Sequence, residues 1–257
     1  MSRIFNNSYN TAYTEFGVPS IAPLENLQAI IPAEELFPIQ DTPAWRLHHG
    51  VGSWTDETWA CSDILDRYFG TGTSIEERIF HSQWLQATGY QAIFEEARRQ
   101  WGHCSMAINW CFCEPWICAA NNSLLAYPAK PKPAYFAVRD SLRPTLASAR
   151  IPKFDWNGGE MFTAEIWYLN DSPQDTSDTV HIRVALGDTE YDLLTWHTGT
   201  VDANTNKLGP SVHLKLPLRA DTDLLQLILT SENGCGSEYR LLFRNGTQHV
   251  QTFALNQ

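Results

Sequence analysis

Basic residues are scarce in this chain of 257 residues: 18 Lys and Arg stand against 29 Asp and Glu, a formal net charge of −11. No basic run occurs, so phosphate backbones and anionic lipid are repelled, and neither nucleic acid nor a membrane is expected as a partner. Also missing is any apolar run approaching a bilayer span, and the N-terminus lacks the charged, apolar and small-residue order of a signal peptide. The expectation is a soluble protein whose compartment stays open. There is no C-x2-C pair. Four of the six cysteines (Cys61, Cys104, Cys111, Cys113, Cys118, Cys235) crowd into "CSMAINWCFCEPWIC" beside His103, but C-x-C-x4-C matches no common zinc pattern. No metal and no cofactor are expected. Alternation along a strand instead places Cys111 and Cys113 on one face as small buried hydrophobes, and reduced thiols suit a cytoplasmic setting. Internal repeats and low-complexity tracts are absent as well.

What is plentiful is apolar and aromatic. A hydrophobic share of 43% over this length supports one large domain or two ordinary ones, and ten tryptophans exceed ordinary usage. Indole faces beside polar groups suit sugar rings, although core filling accounts for most of them.

The first half alternates strand and helix signals. A short β-prone run, Ala12 to Thr14, delivers Glu15 and is broken at Gly17 and Pro19. A long segment with prolines at 19, 23, 32, 38 and 43 follows, of a kind that packs over a site. A helix from about Glu57 to Phe69 closes at Gly70. Ser74 with Glu77 forms a capping box that opens a long helix, whose apolar stripe runs Phe80, Trp84, Ala87, Tyr90, Phe94, Ala97, Trp101. Met106 to Phe112 reads as a buried parallel strand ending at Glu114 and Pro115, and a last helix spans Ala134 to Leu142 before Pro144. These make two consecutive βα units. Beyond Pro144, about seven β runs divided by turn residues, among them Met161–Leu169, Val180–Leu186 and the run "LLQLILT", predict an immunoglobulin-like sandwich. Sequons at Asn6, Asn121, Asn170 and Asn245 matter only in a secreted protein.

Both strands of the first half end in a carboxylate, Glu15 and Glu114. In parallel βα barrels catalytic groups sit at the C-terminal strand ends, and retaining glycoside hydrolysis needs a carboxylate held rigidly against the anomeric carbon. From the residues alone, Glu15 as nucleophile and Glu15 as the partner of a nearby arginine stand level.

Three stretches together resemble glycoside hydrolase family 2, the family of β-galactosidases, β-mannosidases, β-glucuronidases and exo-β-glucosaminidases. "TEFGVPS" resembles its nucleophile motif, "SQWLQATGYQAIFEEARRQW" the helix after it, and "AINWCFCEPWICAANNSLLAYPAKPKPAYFAVRDSLRP" its eighth barrel strand and the run into the last helix. The resemblance covers about Tyr13 to Pro144. It implies α/β followed by all-β architecture: residues 1–143 as the last two βα units of an incomplete (β/α)8 barrel, and 144–257 as the immunoglobulin-like sandwich. It implies a retaining exo-β-glycosidase acting on terminal β-linked sugars, galactosides or mannosides first, with carbohydrate as partner. It casts Glu15 as catalytic nucleophile and Trp110 as the floor of the terminal-sugar subsite. Glu114, followed by Trp116, lines the pocket or orients a loop.

The pattern departs from the family at Cys111, Cys113 and Ile117, where an amide, an asparagine and a proline are usual, and cysteine cannot reproduce amide hydrogen bonding. The acid/base glutamate expected far upstream has no counterpart in the dozen or so residues before Glu15. Three situations fit: a fragment, a subunit whose barrel a further chain completes, or a module that no longer catalyses and serves as a carbohydrate-binding or structural domain.

Overall fold

The computed structural model describes residues 9–52 and 59–246, which form two compact units divided between Leu146 and Ala147. Among the described residues no helix is long and apolar enough to cross a membrane.

In the first unit a parallel pair, β1 (Tyr13–Phe16) and β3 (Ala107–Asn109), lies against the long helix α4 (Ile75–Arg99). Ser74 accepts the Glu77 amide, and Glu77 reaches back to the Thr73 amide and hydroxyl. Glu76 and Glu77 in the first turn and Arg98 and Arg99 in the last complement the helix dipole. Between β1 and α4 come β2 (Ser20–Ile21), α1 (Leu24–Ile30), α2 (Pro43–Leu47) and α3 (Ser62–Phe69). Residues 57 and 58 of the predicted preceding helix lie outside the described residues. After β3 the chain forms β4 (Ala120–Asn121), which pairs antiparallel with β2, then β5 (Leu125–Ala126), β6 (Lys130–Pro131) and α5 (Pro133–Ser141), with proline at its start.

Two sequence expectations are corrected here. The apolar stripe assigned to the long helix describes only part of its buried face: Tyr90, Phe94 and Ala97 are buried, but Phe80 and Trp101 are exposed, and the polar Ser82 and Gln86 are buried as well. Those polar groups go inside because they satisfy strand backbone: Ser82 accepts the Ile21 amide, and Gln86 donates to the carbonyls of Val18, Asn121 and Ser123. Likewise Met106 to Phe112 is not a buried strand. Only Ala107–Asn109 pairs with β1, and Met106, Ile108, Trp110 and Phe112 are 42–59% exposed. A two-stranded sheet has one face on α4 and nothing among the described residues to cover the other. Cys111 and Cys113 therefore sit half-buried in the loop after β3; the buried thiols are Cys104, Cys118 and Cys235, and among the described residues none of the six cysteines forms a disulfide.

The second unit contains a five-stranded sheet of order β11 (Thr189–His197), β10 (Thr179–Leu186), β13 (Leu224–Ser231), β14 (Ser237–Arg244), β8 (Asp155–Asn157). A three-stranded sheet has the order β12 (Thr205–Lys215), β9 (Met161–Asn170), β7 (Thr145–Arg150). Alternate side chains of both sheets, among them Phe162, Ile166, Ile182, Val184, Leu227 and Leu241, share one apolar core. Buried polar groups include a linked set made of Asp178, Ser231, Cys235 and Tyr168. Of the sequon asparagines, Asn121 and Asn170 are buried, Asn245 is exposed, and Asn6 lies outside the described residues.

Candidate active site

The pairing of β1 with β3 is irregular at Glu15. Tyr13 lies opposite Ala107 and Phe16 opposite Asn109, so two residues, Thr14 and Glu15, face the single residue Ile108. This is a β-bulge, and it re-aims side chains. In a regular strand Glu15 would share the side of Tyr13. The extra residue instead turns both Tyr13 and Phe16 inward, Phe16 against Tyr90 and Phe94 with ring centroids 5.9 and 5.2 Å apart, and leaves Glu15 exposed. Among the described residues no ion pair engages Glu15.

The strand ends are joined by the Trp110 amide, which donates to the Phe16 carbonyl at 2.8 Å. Trp110 is 42% exposed and the Trp110–Cys111 peptide is cis. Cys111 is the point where the site's charges meet: burial first, then the Glu114 carboxylate, with Glu15 adding in the same direction against Lys132, hold its thiol above the ordinary range. It therefore stays protonated at neutral pH, a weak donor where an amide was expected.

Further along the loop, Trp116 is 38% exposed and held between two histidines that no motif in the sequence marks. His48 stacks on it at 5.2 Å and His49 meets its edge at 5.6 Å. His48 is fixed by its Nδ1 on the Ile117 carbonyl and by its own carbonyl, which accepts the Ala119 amide. The only signal for them was their place in the long proline-rich segment.

Glu114 is in a different position from Glu15. Its side chain is fully buried: Oε1 accepts the Ser123 hydroxyl at 2.8 Å and Oε2 the Tyr127 amide at 2.9 Å. Lys132, equally buried, has its Nζ 3.9 Å from Oε1 and donates to the Asn121 carbonyl and the Ser20 hydroxyl. The structure thus brings Glu15 and Trp110 to adjoining strand ends, sets Trp116 against the histidines that follow α2, and puts Glu114 beneath the surface as a loop anchor. Among the described residues no three His, Cys, Asp or Glu side chains gather into a metal cradle.

The same geometry fixes the expected behaviour of two supporting residues. A Cβ on Gly17, two residues after Glu15, would lie 2.0 Å from Asn122 Nδ2 and 2.7 Å from its Cγ, and Asn122 is buried. Gly17→Ala is expected to destabilise the first unit by about 1–3 kcal/mol through overpacking, read by urea denaturation. The other residue is Lys132, whose pKa burial pushes down to about 8, with Glu114, Cys118 and Cys111 opposing that shift. An unfolded lysine keeps its proton to about 10.4, so the unfolded chain binds the extra proton in between and stability rises with pH across that window. Unfolding free energy between about pH 7 and about pH 10 is expected to gain on the order of 2–3 kcal/mol from this group, a gain that Lys132→Met combined with Glu114→Gln removes.

No protein-family model matches the chain. It is similar to beta-mannosidase B of Neosartorya fischeri, 29% identical over 121 residues, and to beta-mannosidase B of Aspergillus niger, 29% identical over 131 residues. These matches cover 44% and 48% of this chain but 14% and 15% of those proteins. Among solved structures it superposes on a beta-D-mannosidase from Dictyoglomus thermophilum with a TM-score of 0.69 and 16% identity, covering 95% of this chain and 29% of that one. The exo-chitosanase from Amycolatopsis orientalis gives a TM-score of 0.71, 16% identity, and 94% and 29% coverage. The chain thus has a mixed α/β fold shared with part of these enzymes and spans less than a third of their length. The resemblance to glycoside hydrolase family 2, carried by the three stretches between Tyr13 and Pro144, is borne out by the beta-mannosidase B relatives, and the two solved structures share the fold.

Proposed function

We propose that this chain is the C-terminal portion of a retaining exo-β-glycosidase, with terminal β-mannosides as its first substrate class. The observation that carries the reading is the exposed Glu15 carboxylate, free of ion pairs among the described residues and set on a bulge at the end of a parallel strand tied to the one bearing Trp110. In this reading Glu15 attacks the anomeric carbon as the glycosidic C–O bond breaks and the acid/base carboxyl, from outside this chain, protonates the leaving oxygen; water, deprotonated by that same group, then cleaves the glycosyl ester, freeing the Glu15 carboxylate and the sugar with retention. The Trp110 ring supports the sugar's C–H face, Trp116 with His48 and His49 walls the entrance, and Glu114 orients the loop between the tryptophans. Mannoside is preferred over galactoside because the fungal relatives carry the name beta-mannosidase.

Residues 1–143 are read as the last two βα units of a (β/α)8 barrel and 144–257 as an immunoglobulin-like sandwich. The remaining strands and the acid/base carboxyl come from polypeptide outside this chain, whether continuous with it or separate. The exposed row Met106, Ile108, Trp110 and Phe112 supports that, since a closed barrel would cover it. The test is a panel of aryl β-glycosides given to the native gene product that carries this chain. Hydrolysis of the mannoside, lost in Glu15→Gln, is the expected result; equal turnover by the variant removes the nucleophile role and favours a non-catalytic carbohydrate-binding module.

A further inference from the structure

Lys132 enters the site described so far only as the buried partner of Glu114, yet its ammonium is the point where the site's supporting segments converge. Its side chain has no solvent exposure, and neither has that of Glu114. It donates to the Asn121 carbonyl at 3.1 Å and to the Ser20 hydroxyl at 3.3 Å, and stands 3.9 Å from Glu114. Each contact leads to a different part of the site. Ser20 lies in β2, the segment that leaves the Glu15 strand end. Glu114 lies in the loop between Trp110 and Trp116. Asn121 lies in β4, which pairs with β2 and whose Ser20 partner also donates to Gln86 Oε1 at 2.8 Å. The lysine's own backbone amide is held by the Leu124 carbonyl at 3.0 Å.

A methionine would fill nearly the same volume in this solvent-free site, and a buried ion pair is often matched or exceeded in stability by neutral side chains of similar size. At 3.9 Å the pair is also wider than a close charge-assisted hydrogen bond. What a buried ammonium supplies that a thioether does not is direction: it must be surrounded by acceptors, so it fixes three separate segments at set distances. Its lowered proton affinity, with Glu114, Cys111 and Cys118 as the titratable groups facing it, is the mark of a charge held at a cost to stability.

We propose that Lys132 is a positioning residue: through Glu114 and Ser20 it fixes the segment carrying Glu15 against the loop carrying Trp110 and Trp116. This rests on the glycosidase reading above for its consequence, though not for its geometry.

The test uses the native gene product with Lys132→Met and Glu114→Gln combined, because either change alone leaves one partner buried without the other and invites unfolding. Three quantities are measured: thermal stability, steady-state kinetics on an aryl β-mannoside, and hydrogen exchange at the amides of Ile21 and Trp110. The expected result is stability equal to or above the parent, kcat lowered on the order of 10²-fold with a smaller change in KM, and faster exchange at both amides. A purely structural role predicts the reverse pattern, lower stability with kcat of the folded fraction intact, and that outcome overturns the proposal. So does parental exchange at either amide, or altered exchange with parental kcat. A parent that hydrolyses no glycoside removes the glycosidase reading instead, and the exchange at Ile21 and Trp110 then decides by itself whether Lys132 holds the two segments together.

Discussion

Glu15→Gln is expected to lower kcat for an aryl β-mannoside on the order of 10⁴–10⁶-fold in the native gene product, equivalent to about 5–8 kcal/mol of barrier. Glutamine keeps the length, shape and rotamers of glutamate and removes only the anionic nucleophile. Glu15 is exposed and makes no ion pair among the described residues, so the substitution breaks no buried pair, and stability should stay within about 0.5 kcal/mol of the parent. Loss of turnover with stability retained separates chemistry from folding. The KM gives a further discrimination: a residue that merely lined the pocket would raise KM with little change in kcat, whereas a nucleophile acts on kcat.

Glu114→Ala should do the opposite. It strands the Lys132 ammonium in a site without solvent and takes the acceptor from the Ser123 hydroxyl and the Tyr127 amide. Breaking a buried pair from one side costs about 3–5 kcal/mol, a large part of the stability of an ordinary domain. Urea unfolding should show the first unit's transition moved to lower denaturant while that of the second unit, whose core contains neither residue, keeps its midpoint. A variant that unfolds with the parental midpoint in both units would mean that the buried carboxylate is not what anchors the loop.

The legible part of this protein is the part governed by local periodicity. The capping box at Ser74 and the helix it opens, the proline-led helix at Pro133 and the alternating strands from Met161 to Phe243 follow from spacings of a few residues. The site itself depends on pairings across long separations. Glu15 points outward because of a bulge set against Ile108, and nothing in "AYTEF" reveals it. The buried face of α4 keeps Tyr90, Phe94 and Ala97 of the apolar stripe but departs from it towards the helix start, where Ser82 and Gln86 go inside to satisfy the backbone of β2 and β4. Lys132, in "KPKP", carries no sequence signal of burial, and Glu114, before Pro-Trp, is expected to line the pocket or orient a loop. Their mutual burial emerges only once the loop folds back on Ser123 and Tyr127. His48 and His49 reach Trp116 from a segment that carries no pattern beyond its prolines.

Trapping the glycosyl ester bears most directly on Glu15. The native gene product is incubated with a 2-deoxy-2-fluoro-β-mannosyl fluoride, whose leaving group departs without a proton donor, and then digested and mapped by mass spectrometry. One sugar bound to the peptide containing Glu15, and none in Glu15→Gln, is the predicted result. A sugar on any other carboxylate, Glu114 included, or active enzyme that is never labelled, would contradict it.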